Sequence, residues 1–189
     1  MGRELELKFA ATPAILETIC CDGENWTKIS METAYFDTDD GALAEKKCTL
    51  RQRMEDGISI CTMKTPADGF GRGEWSLESP WNEETVKTLL VAAGKENIPF
   101  DKLHSICGAR FTRLAKTVAF SLCTVEIALD QGVLFGGGRE IPLCEVEVEY
   151  KSGEENAAIS WARAFAQHYG LQPEQYSKFY RARSLAKGE

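Results

Sequence analysis

Histidine is almost missing from this chain. Only His104 and His168 occur among 189 residues, far apart in sequence. That scarcity speaks against a Cys/His zinc site and against a Ser-His-Asp triad, and it leaves chemistry to carboxylates, lysine and arginine. The seven cysteines include no C-x-x-C pair, so they are expected to be reduced, buried packing residues. No apolar run approaches the roughly 18 residues that a membrane-spanning helix needs. The chain passes from Met1 straight into a charged strand without a signal-peptide pattern, which predicts a cytoplasmic protein. No G-x-x-x-x-G-K-[ST] motif occurs, and Gly69, Gly71 and Gly73 are too irregular for a nucleotide fingerprint and read as a loop. A net charge of -7 argues against nucleic acid or an anionic membrane as a partner.

What is present suits a single folded domain over residues 1–189. Hydrophobic residues make up 43% of the chain, enough for a core, and neither a repeat nor an interdomain linker interrupts it. The spacing predicts mostly strands. E-L-E-L-K at Glu4–Lys8 puts Glu4, Glu6 and Lys8 on one face and Leu5, Leu7 and Phe9 on the other. Carboxylates two residues apart lie roughly 7 Å from each other, and at an effective dielectric of about 20 their repulsion is on the order of 2 kcal/mol. They call for a cation between them.

Thr12-Pro13 starts a helix, and further strands follow around Met31–Phe36, Thr49–Met54 and Ile58–Lys64, the last two joined by an Asp56-Gly57 turn. R-G-E-W-S-L-E from Arg72 is another strand, and Asn82 caps a helix that stops at Gly94. Strands then run from Phe111 and from Thr124 to a turn at Gln131-Gly132. A short piece follows over Val133–Phe135, then a Gly136–Gly138 turn, and then the long strand C-E-V-E-V-E-Y. Ala158, Trp161, Ala162, Phe165 and Tyr169 form one stripe of an amphipathic helix. The four tryptophans are read as packing residues and Asp37 as a turn former at a strand end.

The ionic faces of these strands are sorted by sign. Glu4, Glu6, Glu145, Glu147 and Glu149 lie on the first and last long strands; Arg51, Arg53, Lys64, Arg72 and Arg113 lie on others, with Lys8, Lys178 and Arg181 nearby. On any one strand such a face suits ordinary solvent exposure. Taken together, the sorted faces predict two subsites lining a sheet that curls into a barrel. Carboxylates without His or Cys suit a hard divalent cation, and convergent Lys and Arg suit an anion of several charges. Glu74, Glu78, Glu126 and Asp130 either hold those cations in place or are solvated, and support for the cations is the preferred reading.

These residues resemble the CYTH domains, or triphosphate tunnel metalloenzymes, and most closely their bacterial inorganic triphosphatase branch. The likeness rests on E-x-E-x-K at Glu4, Y-F-D-T at Tyr35, L-R-Q-R at Leu50, M-K at Met63 and R-x-E at Arg72. It continues through V-E-I-A-L-D-Q-G at Val125, E-V-E-V-E at Glu145 and S-K-x-x-R at Ser177. The resemblance implies an α+β fold: a closed tunnel of eight antiparallel strands with helices packed outside. It implies Mg²⁺ or Mn²⁺ held by Glu4, Glu6, Glu147 and Glu149. Triphosphate would be bound by Lys8, Arg51, Arg53, Lys64, Arg72, Arg113 and Arg181, and Lys178 would help to place the attacking water, with Glu4, Glu6 and Lys8 also in the catalytic set. Many bacterial members carry a second, helical domain, and this chain ends at Glu189. Thiamine triphosphatases and one class of adenylate cyclases share the tunnel, so organic triphosphates, or a binding module without turnover, stay open beside inorganic triphosphate.

Overall fold

The structure is a computed structural model that describes residues 5–67 and 72–188. Its elements run β1 (Glu6–Ala10), α1 (Pro13–Cys21), β2 (Thr27–Asp37), α2 (Ala42–Glu45), β3 (Thr49–Glu55), β4 (Ile58–Ala67) and β5 (Arg72–Glu78). They continue through α3 (Glu83–Ala92), a 3-10 turn (Phe100–Lys102), β6 (His104–Ala119), β7 (Cys123–Gly136), β8 (Arg139–Gly153), α4 (Glu155–His168), β9 (Gln172–Pro173) and α5 (Lys178–Lys187). All strands join one antiparallel sheet in the order β5-β4-β3-β2-β6-β7-β8-β1-β9.

The expectation of eight strands in a closed barrel is met in part. The strands are antiparallel, but there are nine, and among the described residues no ladder joins β5 to the opposite edge. That edge is β9, which pairs with Phe9 and Ala10 of β1 and ends at Pro173, a residue with no N–H to offer a further strand.

One sheet face is apolar and carries three of the helices. Phe9, Val125, Ile127, Leu129, Val146 and Val148 pack with Leu16 and Ile19 of α1 and with Ala158, Ala162 and Ala166 of α4. Leu50, Cys61 and Met63 pack with Val86, Leu89 and Leu90 of α3. Each such side chain contributes about 1.5–3 kcal/mol when buried. The caps match the sequence: Thr12 Oγ1 accepts from Ile15 N and Asn82 Oδ1 from Thr85 N. Trp26, Trp75, Trp81 and Trp161 all pack against these cores. The seven cysteines are free thiols, and burial pushes the Cys107 thiol up to about 12, which keeps it inert.

The opposite face is ionic, and α5 lies on it, contrary to the expectation that every helix packs outside. Ala182 is fully buried among Met31, Tyr35, Ala109, Phe111 and Leu134, and Phe179 meets Tyr35 ring to ring at 5.0 Å. Small residues let the helix come this close. A Cβ on Gly136 would sit 2.4 Å from the Ala182 carbonyl oxygen.

The predicted turn at Gln131-Gly132 is absent, and β7 runs unbroken from Cys123 to Gly136. Gly132 marks a close approach between strands, since a Cβ there would lie 2.1 Å from the Arg110 carbonyl oxygen. The real turn is at Gly137 and Gly138, both with positive φ. Of the glycines read as a loop, Gly73 belongs to β5, while Gly69 and Gly71 lie outside the described residues. Asp37 ends β2 and caps α2, accepting from the N–H groups of Thr38, Leu43 and Ala44.

Candidate active site

Strand register builds the site on the ionic face. In the β1–β8 ladder Glu6 stands opposite Glu149 and Lys8 opposite Glu147. In the β7–β8 ladder Asp130 stands opposite Glu145, and in β6–β7 Arg113 stands opposite Asp130. Three neighbouring strands therefore present Arg113, Asp130, Glu145 and Glu147 as one patch. α5 completes it from above. Ser177 caps that helix by accepting from Tyr180 N, which places Lys178 in the first turn and Arg181 one turn on, both turned to the sheet.

The contacts in this patch are ionic and dense. Arg113 grips Asp130 with two parallel bonds, Nε to Oδ1 and Nη2 to Oδ2, each 2.7 Å, and also reaches Glu147. Lys178 Nζ contacts Asp130 Oδ2 at 2.7 Å, Glu147 Oε1 at 2.7 Å, and Glu145 Oε1. Arg181 pairs with Glu145, and more loosely with Glu174 at 3.5 Å. Asp130 and Glu145 are fully buried, and the Lys178 side chain is only 8% exposed.

Burial by itself would discharge these groups, so their pairing decides their state. For Lys178 the burial penalty is outweighed by Glu147, Asp130 and Glu145, which hold the ammonium above its ordinary range. For Glu147 burial is outweighed by Lys178 and Arg113, which hold the carboxylate well below the usual range. In Glu145 burial prevails and pushes the carboxyl up. Three carboxylates thus share three cations. The oxygens of Asp130, Glu145 and Glu147 lie within 4.8 Å of one another, close enough in spacing to hold a metal ion.

A second region has the opposite balance. Arg51 and Arg53 leave β3 on the same face. Among the described residues Arg53 meets Glu55 at 3.5 Å and the Thr33 hydroxyl at 3.4 Å. Burial and the neighbouring Arg51 lower the Arg53 pKa. Arg51 Nε is buried with no hydrogen-bond partner among the described residues. Two guanidiniums so placed repel by about 2 kcal/mol. Unsatisfied buried donors of this kind are what an anion would fill.

The predicted residues therefore divide. Arg113, Lys178, Arg181 and Glu147 meet in the neutralised patch, Lys8, Glu6 and Glu149 flank it, and Arg51 and Arg53 form the basic pair. Lys64 lies on β4, paired with Glu74 at 3.0 Å. Glu149 pairs with Lys151 at 2.9 Å. Glu4 and the Arg72 side chain lie outside the described residues. Sorting by sign, as predicted from the strands, brings Glu6 opposite Glu149 on neighbouring strands and leaves Arg51 and Arg53 together on β3, but it does not hold around Arg113 and α5. Antiparallel register sets Arg113 against Asp130, and α5 brings two more cations to the acidic wall. Glu174 was missing from the predicted site, and Glu145, read as part of the acidic subsite, was not among the predicted metal ligands. The alternation that carried Glu147 applied equally to Glu145, whereas nothing local marks Glu174.

The Glu6, Glu147 and Glu149 carboxylates offer oxygen donors alone, a set that fits a hard divalent ion such as Mg²⁺ or Mn²⁺.

Known proteins are similar to this chain in sequence and in fold. The inorganic triphosphatase of Haemophilus influenzae is 31% identical over 168 residues, which is 81% of this chain and 46% of that protein. The chain thus spans about half the length of the curated relatives it matches. Among solved structures, HpAC1 from Hippeastrum, for which a dominant triphosphatase activity is described, matches with a TM-score of 0.69 at 17% identity, over 98% of this chain and 96% of that one. PH1819 from Pyrococcus horikoshii matches with a TM-score of 0.64 at 20% identity, over 97% and 99% of the two chains. These two likenesses concern the fold. The CYTH domain model itself matches residues 2–182, nearly the whole chain, and on that span the protein belongs to the CYTH-domain family.

Proposed function

We propose that the protein hydrolyses inorganic triphosphate to diphosphate and phosphate with the help of Mg²⁺ or Mn²⁺. The observation that carries this reading is the Arg51–Arg53 pair, partly buried cations short of carboxylates among the described residues, beside an acidic wall that already has its own cations. A small anion with several charges would satisfy the pair, and relatives with a triphosphatase activity support the choice of triphosphate.

In this reading Arg51, Arg53 and Lys8 bind phosphate oxygens, with Arg113, Arg181, Lys64 and Arg72 as further contacts around the substrate. Arg forks match phosphate geometry and stabilise the charge that builds on the transferred group. Glu4, Glu6, Glu147 and Glu149 hold the divalent ion, which when bound neutralises phosphate charge and activates water. Lys178 helps to place the water, giving up one of its three carboxylate contacts to do so. Water attacks the terminal phosphorus, the bond to the bridging oxygen breaks, and diphosphate leaves. The sheet would curl around the substrate as a tunnel. The partner is a small molecule in the cytoplasm, with no role for nucleic acid or membrane.

Release of orthophosphate from tripolyphosphate, thiamine triphosphate and ATP, each with Mg²⁺ and with Mn²⁺, tests the proposal. Tripolyphosphate should be turned over fastest. A preference for either organic compound would move the function to that class. Tight tripolyphosphate binding that is indifferent to metal, without turnover, would make the protein a binding module.

A further inference from the structure

The trio Asp130, Glu145 and Glu147 has the spacing of a metal site, yet its contents point elsewhere. Asp130 is fully buried, and both of its oxygens are engaged: Oδ1 by Arg113 Nε, Oδ2 by Arg113 Nη2 and by Lys178 Nζ, all at 2.7 Å. Lys178 has three ammonium hydrogens and meets three carboxylates, one on each of Asp130, Glu145 and Glu147. The remaining Glu145 oxygen meets Arg181. A divalent ion held by all three carboxylates would have to displace the Lys178 ammonium and face two guanidiniums. At Asp130 and Glu145 the chain supplies its own cations, whereas Glu147 stands on the β1–β8 ladder beside Glu6 and Glu149.

We infer that Asp130 is a positioning residue and not a metal ligand: it fixes the plane of the Arg113 guanidinium and the place of the Lys178 ammonium for the reaction proposed above, on which this role rests. Three features support it. Asp130 comes from β7, the strand between those that carry Arg113 and Glu145. Like Glu147 it joins a β6 cation to an α5 cation, and it does so through a two-bond fork on Arg113, which ties the helix to the sheet where the two must align. Its place is set by ladder register on both sides, against Arg113 and against Glu145, which leaves it little freedom to turn toward a metal. A bidentate fork adds direction to charge, and Asp130 is the partner that supplies it.

The test compares Asp130→Asn with Glu6→Gln in the full chain, with thermal melts to establish folding. Mn²⁺ binding alone is measured by calorimetry, and tripolyphosphate binding is measured in EDTA, where no turnover occurs. Asp130→Asn should leave Mn²⁺ affinity within about twofold of the original, weaken metal-free tripolyphosphate binding by about tenfold, and lower kcat by roughly 100-fold. Lys178→Met added to Asp130→Asn should cost far less than the two changes multiplied, because they break one unit. Arg113→Lys keeps the charge but loses the fork; it should reproduce the kinetic loss and serves if Asp130→Asn does not fold. The inference is overturned if Asp130→Asn weakens Mn²⁺ binding as much as Glu6→Gln does, or if a folded Asp130→Asn binds tripolyphosphate as the original does. Absence of turnover in the unaltered protein would remove the triphosphatase reading and leave the two calorimetric measurements to decide the place of Asp130.

Discussion

Glu6 of β1 stands directly across the ladder from Glu149 of β8, two positions from the opposed pair of Lys8 and Glu147. Cross-strand partners bring their Cβ atoms to about 4.5–5.5 Å, and like charges so placed destabilise a sheet unless a cation joins them. Lys151 reaches Glu149 at 2.9 Å from a partly exposed position. Glu6→Gln or Glu149→Gln should therefore weaken Mn²⁺ binding by more than the roughly 10–100-fold typical of losing an outer partner of a metal ligand. Calorimetric titration checks this, and wild-type affinity in both variants would remove this pair from the metal site.

Arg53 is a cation that the folded protein holds at a cost, since burial and Arg51 both disfavour its charge. Arg53→Met should raise KM for tripolyphosphate by about tenfold or more while leaving the melting temperature of the ligand-free protein unchanged or higher. The unaltered protein should in turn gain stability from tripolyphosphate in proportion to its occupancy, and Arg53→Met should gain less. A lower melting temperature with unchanged KM would assign Arg53 to structure.

Acid should act through Glu147. Its folded pKa lies below the unfolded value, so its stabilisation is complete above about pH 4 and is lost as pH falls through the folded value. Glu145 runs the other way: its folded pKa is raised, so its contribution is present below the unfolded value and lost as pH rises. Thermal melts in EDTA across the acid range should show a shallower loss in Glu147→Gln and a steeper one in Glu145→Gln. Identical slopes in all three proteins would contradict this assignment.

The seat of α5 depends on Gly136. A methyl group there meets the Ala182 carbonyl oxygen at 2.4 Å and Ala186 N at 3.0 Å, both backbone atoms that cannot swing aside. Gly136→Ala should cost about 1–3 kcal/mol, the usual range for overpacking. It should also lower triphosphatase activity by moving Lys178 and Arg181 off the acidic wall. Melting temperature and kcat, measured together, check both.

Much of this protein was legible in its linear order. Alternation by two sorted Glu6 from Leu7, Arg51 from Leu50, and Glu147 from Val146, because successive side chains of a strand point to opposite faces whatever the fold around them. Thr12, Asn82 and Asn-like caps such as Ser177 act on atoms three residues away, so helix starts are local events. Tertiary structure decided which faces meet. Gly132 reads as a turn until a neighbouring strand is seen to need its missing Cβ, and the stretch that forms α5 shows its place on the ionic face only once Gly136 and Ala182 are seen to let it in. The same contact turned Lys178 and Arg181 from free bases into partners of Asp130, Glu145 and Glu147, and strand register did so for Arg113. Alternation assigns a residue to a face, but ladder register and helix docking set its distance from a charge on another strand, and Coulomb attraction between buried groups depends on that distance.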